Sequence, residues 1–365
     1  MVSFIKNSAG KIELVFNDFV VKKNVCNLKC KYCLSNEAPE WTNTEKNEIL
    51  EYTECSELGI RLNKVLQEYH KTFDPRILRI SGGELFLIKN IEDFIVSCNS
   101  QYEAVQIITN GCYVTEKKLK ALLEIENCCI HFSLDGHTSE LNRYRTDTLD
   151  VLNNILSNID SAVNMGFYVE IGSVLTDANT KDYIEFVEYF KQRYVDKVKL
   201  YPFPIRGAIA KKMYAGDKDI HCFGHLIEKY EEYKGVLAPK AYLEDIYANL
   251  AVKRRAQRCL IPLVSTQLFD DGNLSACPNS WGVNTANIFH DVNVMEKVTN
   301  EKVYKLFLQN KPRLKSCFDC YTSMDIVNIY LNGKISDNEL LQIPLYSGKR
   351  THDLLAGIRD ALMDG

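Results

Sequence analysis

Short apolar runs alternate with longer amphipathic stretches over roughly the first 205 residues. The run at 12–21 is rich in β-branched and aromatic residues, so we expect it to be the first strand. Five more runs predict strands, at 77–80, 105–109, 130–134, 168–174 and 198–201. Apolar residues at helical spacing predict the helices between them, near 58–73, 91–98, 116–123, 149–163 and 183–194.

Six β/α units of this kind predict a parallel sheet with helices outside it. Right-handed crossovers then favour a partial (β/α)6 barrel of the TIM type, with its functional site at the carboxyl ends of the strands. A doubly wound sheet is the alternative, because periodicity alone does not separate the two folds.

Composition narrows the function classes. The chain has 365 residues, a net charge of −4 and 13 cysteines. It shows no basic face for nucleic acid, no signal-peptide pattern and no apolar run of the ~20 residues that a membrane span needs. We therefore expect a cytoplasmic protein without nucleic-acid or membrane partners. In a reducing compartment, cysteines are kept for metals or for chemistry.

Three of the cysteines, Cys26, Cys30 and Cys33, lie within eight residues. Soft thiolates at this density indicate a metal or iron–sulfur site rather than disulfides. Three ligands are one too few for a structural zinc or for a closed [4Fe–4S] cluster. A zinc knuckle completed by a distant ligand is one alternative.

This C-x3-C-x2-C spacing, with Tyr32 before the last cysteine, resembles the cluster loop of the radical S-adenosylmethionine (SAM) superfamily. The resemblance implies a [4Fe–4S] cluster on Cys26, Cys30 and Cys33, with SAM on the fourth iron and Tyr32 near the adenine. It also implies reductive cleavage of SAM to a 5′-deoxyadenosyl radical, which removes a hydrogen atom from the substrate. An electron donor such as flavodoxin or ferredoxin is implied as a partner.

Two turns after the second and third strands add to this resemblance. By themselves, Gly82, Gly83 and Glu84 are an ordinary βα turn, and Asn110 lies in a Thr-Asn-Gly turn. In the family, a Gly-Gly-Glu turn at this strand binds the methionyl amino group of SAM, and Thr-Asn-Gly follows the next strand. The resemblance therefore implies that these four residues bind SAM.

A third turn, Ser-Leu-Asp-Gly at 133–136, follows the fourth strand, and Arg145 lies nine residues beyond its glycine. This segment resembles the part of the family in which a serine and an arginine hold the SAM carboxylate. Ser133 and Arg145 fit that role, because a guanidinium binds a carboxylate through paired hydrogen bonds. Arg143 is the alternative arginine.

A second cysteine set lies in the C-terminal half, and its members are Cys259, Cys277, Cys317 and Cys320. Four cysteines can close a zinc site or a complete cubane, and without the upstream motifs a zinc ribbon is the simpler interpretation. With those motifs, Cys259, Gly272 and Cys277 resemble the opening of the auxiliary-cluster module of SPASM and twitch radical SAM enzymes. The resemblance implies one auxiliary [4Fe–4S] cluster in a twitch domain, a β-hairpin plus a helix, with the hairpin at 269–274.

We expect four regions: a barrel at 1–205, a helical connector at 206–255, a twitch domain at 256–325 and a helical extension at 326–365. The family resemblance implies modification of a ribosomally synthesised peptide or natural product by crosslinking, epimerisation or oxidation. A sugar or aminocyclitol dehydrogenase or epimerase is the alternative, and a non-catalytic iron–sulfur protein is a more distant one. Only about 25 residues precede Cys26, which weakens the peptide hypothesis because a leader-binding domain is larger.

These motifs do not indicate what happens to the substrate radical after the hydrogen atom is removed. A thiol that returns a hydrogen atom would give epimerisation, and Cys222, between the barrel and the second cysteine set, is the best candidate for that donor.

Overall fold

The structure is a computed structural model. It describes residues 4–22, 25–33, 55–206, 211–253, 255, 257–275, 277, 284–298 and 320–363. Cys317 of the second cysteine set lies outside the described residues.

Nine strands form one mixed sheet in the order β6-β5-β4-β3-β2-β1-β7-β8-β9. Strands β1 to β6 are all parallel, and each lies beside its neighbour in sequence. This order is that of a barrel, since a doubly wound sheet places its first strand in the middle. The strands are β1 (Ile12–Val21), β2 (Phe73–Gly82), β3 (Ala104–Thr109), β4 (Cys128–Ser133), β5 (Tyr168–Leu175), β6 (Val198–Pro204), β7 (Ser265–Phe269), β8 (Asn273–Ser275) and β9 (Asn284–Asn287).

Helices occupy the connections, as the apolar repeats predict. They are α1 (Cys55–Thr72), α2 (Ile91–Ser97), α3 (Glu116–Leu122), α4 (Leu149–Asn164), α5 (Tyr183–Tyr194), α6 (Asp217–Glu228), α7 (Tyr230–Tyr233), α8 (Lys240–Val252), α9 (Ile261–Val264), α10 (Val294–Val298), α11 (Asp325–Leu331), α12 (Asp337–Leu341) and α13 (Lys349–Met363). Short 3₁₀ turns lie at Leu85–Leu87, Asn99–Gln101 and Pro344–Tyr346. The predicted partial barrel with helices outside is therefore confirmed.

One boundary differs from the sequence prediction. Phe73 was expected on the buried face of the first helix, but it is the first residue of β2. Pro75 accounts for the change, because a proline disfavours helical geometry at the residue before it. Phe73 is nevertheless fully buried and stacks on Tyr69 at the end of α1, with ring centroids 4.7 Å apart.

The hairpin predicted at 269–274 is present as the turn between β7 and β8. Gln267 pairs with Ser275 across it, and Gly272 has a φ of +85° that suits glycine. Strand β7 itself runs parallel to β1 and extends the barrel sheet on that side. Asp270 in the turn faces Lys22, at an N···O distance of 3.8 Å, at the point where β1 leads into the cysteine loop.

The C-terminal helices cover the amino ends of the barrel strands. Glu103, just before β3, accepts hydrogen bonds from the backbone N–H groups of Arg350 and Thr351 in the first turn of α13. Tyr346 is buried and packs edge-on against Phe16 of β1, with ring centroids 6.1 Å apart. The site therefore has to open at the opposite, carboxyl end of the strands.

Within the part of the chain that the structure describes, none of the helices combines the length and the apolar character that crossing a bilayer requires.

Replacing Glu103 tests how firmly the C-terminal helix is attached. Glu103→Ala removes the acceptor for two N–H groups and for the Thr351 hydroxyl, so we expect the free energy of unfolding to fall by about 1–2 kcal/mol. Glu126→Ala, at an exposed glutamate before β4, is the matched control and should change it by less than about 0.5 kcal/mol. Urea unfolding measures both, and equal effects would contradict the capping role.

Candidate functional site

The carboxyl ends of the first four strands meet at one edge of the sheet. In the strand register, Val21 of β1 lies beside Gly82 of β2, and Thr109 of β3 lies beside Phe132 of β4. Parallel pairing therefore brings the cysteine loop after β1 and the three predicted turns after β2, β3 and β4 together. The sequence predicted this convergence.

The cysteine loop is a turn that leaves its three thiols half-buried or exposed. Cys26 is exposed, and Cys30 and Cys33 are half-buried. The backbone N–H of Cys33 donates to the carbonyl of Cys30 at 3.1 Å, and Lys31 N–H donates to the carbonyl of Tyr144 at 2.8 Å. Burial raises the pKa of the Cys30 thiol, and the charge of the nearby Arg145 guanidinium partly opposes this rise.

Three thiolates in one loop are the kind of ligands that a cubane cluster uses. Among the described residues, no group of three Cys, His, Asp or Glu side chains is close enough to hold one ion. A cubane places each thiolate on a different iron, so its ligands stand further apart. Hydrogen bonds to the sulfurs are the usual support of such ligands, and here Asn110 Nδ2 lies 3.7 Å from Cys26 Sγ and Arg145 Nη1 lies 4.0 Å from Cys30 Sγ.

Gly82 and Gly83 allow the second turn to touch the backbone of the cysteine loop. A Cβ at Gly82 would lie 2.0 Å from the carbonyl oxygen of Val21, and a Cβ at Gly83 would lie 2.1 Å from that of Val25. Gly83 N–H and Glu84 N–H also donate to carbonyls on either side of the loop's start, at Lys22 and Val25. The glycines thus fix where the loop begins, and their predicted contact with SAM stays a prediction.

Glu84 is buried, and its carboxylate joins the second turn to the third. It accepts hydrogen bonds from the hydroxyl of Thr109 at 2.6 Å, the N–H of Asn110 at 2.6 Å and the N–H of Phe86 at 3.1 Å. Burial raises the pKa of this carboxyl, although the same hydrogen bonds and the charge of Lys118 oppose the rise. Three of the acceptor sites of the Glu84 carboxylate are thus occupied by donors of the protein itself. The predicted role of Glu84 toward the SAM amino group stays a prediction.

Asn110 is almost buried, and its side chain contacts the cysteine loop directly. Its Nδ2 donates to Asn27 Oδ1 at 2.9 Å and faces the Cys26 sulfur, while its Oδ1 accepts from Cys112 N–H at 2.9 Å. The sequence singled out this residue for SAM. The structure adds a contact with Cys26, one of the predicted cluster ligands.

Arg145 lies in a buried group with Asp135 and Tyr32. Its Nη2 is 3.2 Å from Asp135 Oδ1, the Tyr32 hydroxyl donates to the other oxygen of Asp135, and the guanidinium lies 5.6 Å from the centre of the Tyr32 ring. Burial alone would lower the pKa of Arg145, but the charges of Asp135, Tyr32 and Cys30 raise it above its ordinary value. The structure thus separates the two candidate arginines: only 9% of the Arg145 side chain is exposed, whereas Arg143 bonds backbone carbonyls nearer the surface.

Ser133 ends β4, opposite Gly172 of β5, and is half-buried at the same edge of the sheet. This position is compatible with the predicted SAM contact, which stays a prediction.

Three members of the second cysteine set are described, and one of them, Cys320, lies close to two arginines. Cys259 is half-buried, and Cys277 and Cys320 are buried. Burial raises the pKa of the Cys320 thiol to about 12, and the charges of Arg206 and Arg255 oppose this. Arg255 also donates to the carbonyl of Cys320 at 2.6 Å.

Cys222 is half-buried on α6, a helix that packs against α5 and α8 outside the sheet. The buried face of this helix is formed by Ile220, Phe223, Leu226 and Ile227. The predicted role of Cys222 as a hydrogen donor stays a prediction.

One polar layer in the barrel was not predicted. Side chains on six strands form a continuous hydrogen-bonded row beneath the site, in the order Gln267, Asp18, Arg79, Gln106, Glu170 and His131. All are buried except for a small part of Arg79. The signal in the sequence was a polar residue inside each apolar run, which is unusual for a strand covered on both faces.

Three comparisons with known proteins relate this geometry to a family. A family model described as the Radical SAM superfamily matches residues 20–190. The GTP 3′,8-cyclase of Campylobacter fetus subsp. fetus (strain 82-40) is 28% identical over 172 residues, 46% of this chain and 49% of that protein. The GTP 3′,8-cyclase of Corynebacterium glutamicum (strain R) is 31% identical over 197 residues, 48% of each protein. The chain therefore spans about half the length of these curated relatives.

Among solved structures, the crystal structure of Streptococcus suis SuiB bound to S-adenosylmethionine is similar with a TM-score of 0.59 at 14% identity. The similarity covers 80% of this chain and 68% of SuiB. At this level of identity it shows a shared fold alone.

The substrate expected from the sequence is wrong. The curated relatives are named for GTP, a nucleotide, and not for a peptide, a natural product, a sugar or an aminocyclitol. This finding overturns the expected crosslinking, epimerisation or oxidation of a ribosomally synthesised peptide. It also overturns the alternative of a sugar or aminocyclitol substrate. The motifs misled because their resemblance to the family concerns the predicted cluster and SAM contacts and carries no information about the substrate.

Adding one methyl group at Gly83 tests the contact between the turn and the cysteine loop. Gly83→Ala places a carbon against the Val25 carbonyl, so the loop has to shift, and we expect a loss of about 1–3 kcal/mol of stability together with a lower iron content after reconstitution. Gly357→Ala, in α13 with no atom within 4 Å of the added carbon, should be neutral or slightly stabilising. Thermal unfolding and iron analysis compare the two, and a normal iron content in Gly83→Ala would refute the contact's importance.

Proposed function

We propose that this chain is a radical SAM enzyme whose substrate is a purine nucleoside triphosphate of the GTP type. The match of the Radical SAM superfamily model to residues 20–190 supports the enzyme class. One observation supports the enzyme class most directly. At the carboxyl edge of the parallel sheet, the sulfurs of Cys26 and Cys30 are each faced by a side-chain N–H donor from a different turn.

The cysteine loop has the residues that a [4Fe–4S] cluster with one open iron requires, and we assign Cys26, Cys30 and Cys33 to it. When bound and reduced, such a cluster cleaves SAM and so supplies the radical that removes a hydrogen atom from the substrate. The chain's own residues hold the loop in place: Gly82 and Gly83 contact its backbone, and the turns after β3 and β4 contact its sulfurs.

Arg145 is the residue that we assign to the SAM carboxylate. Its Nη2 is engaged by Asp135, but its Nε is buried and makes no hydrogen bond to a described residue. A buried N–H without an acceptor is costly, and a carboxylate would satisfy it with a charge-assisted hydrogen bond. The pairing with Asp135 holds the guanidinium in place before the ligand arrives.

The substrate part of the proposal rests on the curated relatives. They are named GTP 3′,8-cyclase, and their similarity to this chain extends well beyond the short motifs, over 172 to 197 residues. We propose a second cluster on Cys259, Cys277, Cys317 and Cys320, supported by the two arginines beside Cys320, whose positive charges favour thiolates there.

Anaerobic reconstitution tests the enzyme class. With dithionite and SAM, we expect the chain to release methionine and 5′-deoxyadenosine, and Cys30→Ala to abolish this release because it removes a cluster ligand. Liquid chromatography with mass spectrometry measures both products. Cys98→Ala is the matched control, because this buried cysteine directly follows α2, donates to the Phe94 carbonyl of that helix and should leave SAM cleavage intact. Bound zinc with intact SAM would refute the proposed class.

The same assay tests the substrate. We expect GTP to be consumed and to accelerate the release of 5′-deoxyadenosine, and ATP, which differs only in its base, to do neither. Equal rates with the two nucleotides, with no GTP consumed, would refute the nucleotide part and leave the enzyme class standing.

Conservative variants test the choice of arginine. Arg145→Lys keeps a positive charge near Asp135 but loses the planar fork, so we expect SAM to bind about 10–100-fold more weakly, equivalent to one charge-assisted hydrogen bond. Arg143→Lys should bind SAM normally. Isothermal titration of reconstituted protein with SAM measures both, and a larger loss in Arg143→Lys would assign the carboxylate to that residue instead.

A further inference from the structure

We propose that Asn110 is a positioning residue for the cluster, whose side-chain amide donates a hydrogen bond to the Cys26 thiolate and thereby raises the reduction potential of the cluster. The proposal rests on the proposed function for the presence of a cluster on Cys26, Cys30 and Cys33. It adds a role for Asn110 that differs from the SAM contact inferred from the sequence.

The orientation of the Asn110 amide is fixed by its neighbours. Its Oδ1 accepts the backbone N–H of Cys112 at 2.9 Å, which an NH2 group cannot do. The NH2 group therefore points to the cysteine loop, where it lies 2.9 Å from Asn27 Oδ1 and 3.7 Å from Cys26 Sγ. With its two hydrogens, the group can serve both acceptors at once.

The backbone that carries Asn110 is held from two sides. Glu84 accepts the Asn110 N–H at 2.6 Å and the Thr109 hydroxyl at 2.6 Å. From α4, Asn154 and Asn158 donate to the carbonyls of Cys112 and Gly111, each at 2.8 Å. The amide is thus pre-oriented toward Cys26 and has little freedom to turn away.

The expected effect on the potential follows from charge. One-electron reduction adds a negative charge to the cluster, and part of it resides on the cysteine sulfurs. An N–H donor stabilises that charge more than it stabilises the oxidised cluster, and hydrogen bonds to sulfur are among the factors that set these potentials. Only 7% of Asn110 is exposed, so its amide is shielded from water that would compete with the cysteine loop for its hydrogens.

Two substitutions of Asn110 separate the hydrogen bond from other effects. Asn110→Ala removes the donor without adding charge. Asn110→Asp keeps an acceptor for Cys112 N–H but also has no donor. For Asn110→Ala, we expect the equilibrium constant for cluster reduction to fall about tenfold, a shift of 59 mV to lower potential for a one-electron couple. For Asn110→Asp, we expect at least the same shift, because its negative charge adds to the loss of the donor.

The measurement is a dithionite redox titration followed by electron paramagnetic resonance, without SAM, on reconstituted protein. The signal of a second cluster would overlap with that of the first. The parent protein for all variants therefore carries Cys320→Ala, which removes a ligand of the proposed second cluster. A lower potential in Asn110→Asp alone would overturn the proposal, because added charge would then explain it. Unchanged potentials in both variants would overturn it as well.

Asn154→Ala is the matched control. It removes an asparagine that holds the same turn, through the Cys112 carbonyl, but does not touch a sulfur. We expect its potential to equal that of the parent, because Glu84 and Asn158 still hold the turn. An equal shift in Asn154→Ala would mean that loosening of the turn, and not the lost donor, lowers the potential.

A direct measurement does not depend on the variants folding well. In the parent with ¹⁵N in its asparagine side chains, pulsed electron paramagnetic resonance of the reduced cluster should detect coupling to one such nitrogen, and its absence would refute the hydrogen bond. If no cluster forms on the N-terminal cysteines, the proposed function fails. If it forms and cleaves SAM without the coupling, only this inference fails.

Discussion

The buried carboxylate of Glu84 is the interaction on which the arrangement of the site depends. Placing one charge in the protein interior costs several kcal/mol, and it is offset by three hydrogen bonds of about 1.5–3 kcal/mol each, from Thr109, Asn110 and Phe86. Because the donors belong to two turns, the carboxylate fixes one turn against the other. Asn110 is thereby held where its amide reaches Cys26.

The strands supply the rest of the rigidity. A row of hydrogen-bonded polar side chains runs across six strands below the site, from Gln267 to His131. At the amino ends of the strands, Tyr346 and the first turn of α13 cover the barrel. These contacts cover the amino ends of the strands. The functional site therefore lies at the carboxyl ends, where loops can carry function on a rigid support.

The short motifs and the longer similarity to curated relatives lead to different substrates. The cysteine loop and the turns after β2, β3 and β4 resemble the family's cluster and SAM contacts, so they suggested a class of chemistry. The substrate inferred with them, a peptide or a sugar, was wrong. The similarity to GTP 3′,8-cyclases extends over 172 to 197 residues, and so includes residues outside those turns.

The sequence by itself determined the order of the β/α units. Six strands and five helices lie within a few residues of their predicted positions. The sequence also contained the cysteine spacing that indicated a cluster. Apolar periodicity and short motifs are local, so they can be read from the chain. Only the tertiary structure decided that Glu84 bonds the turn after β3, that Asn110 faces Cys26, that Arg145 rather than Arg143 pairs with Asp135, and that β7 extends the barrel sheet. These contacts join residues that are distant in sequence, and strand register alone brings them together.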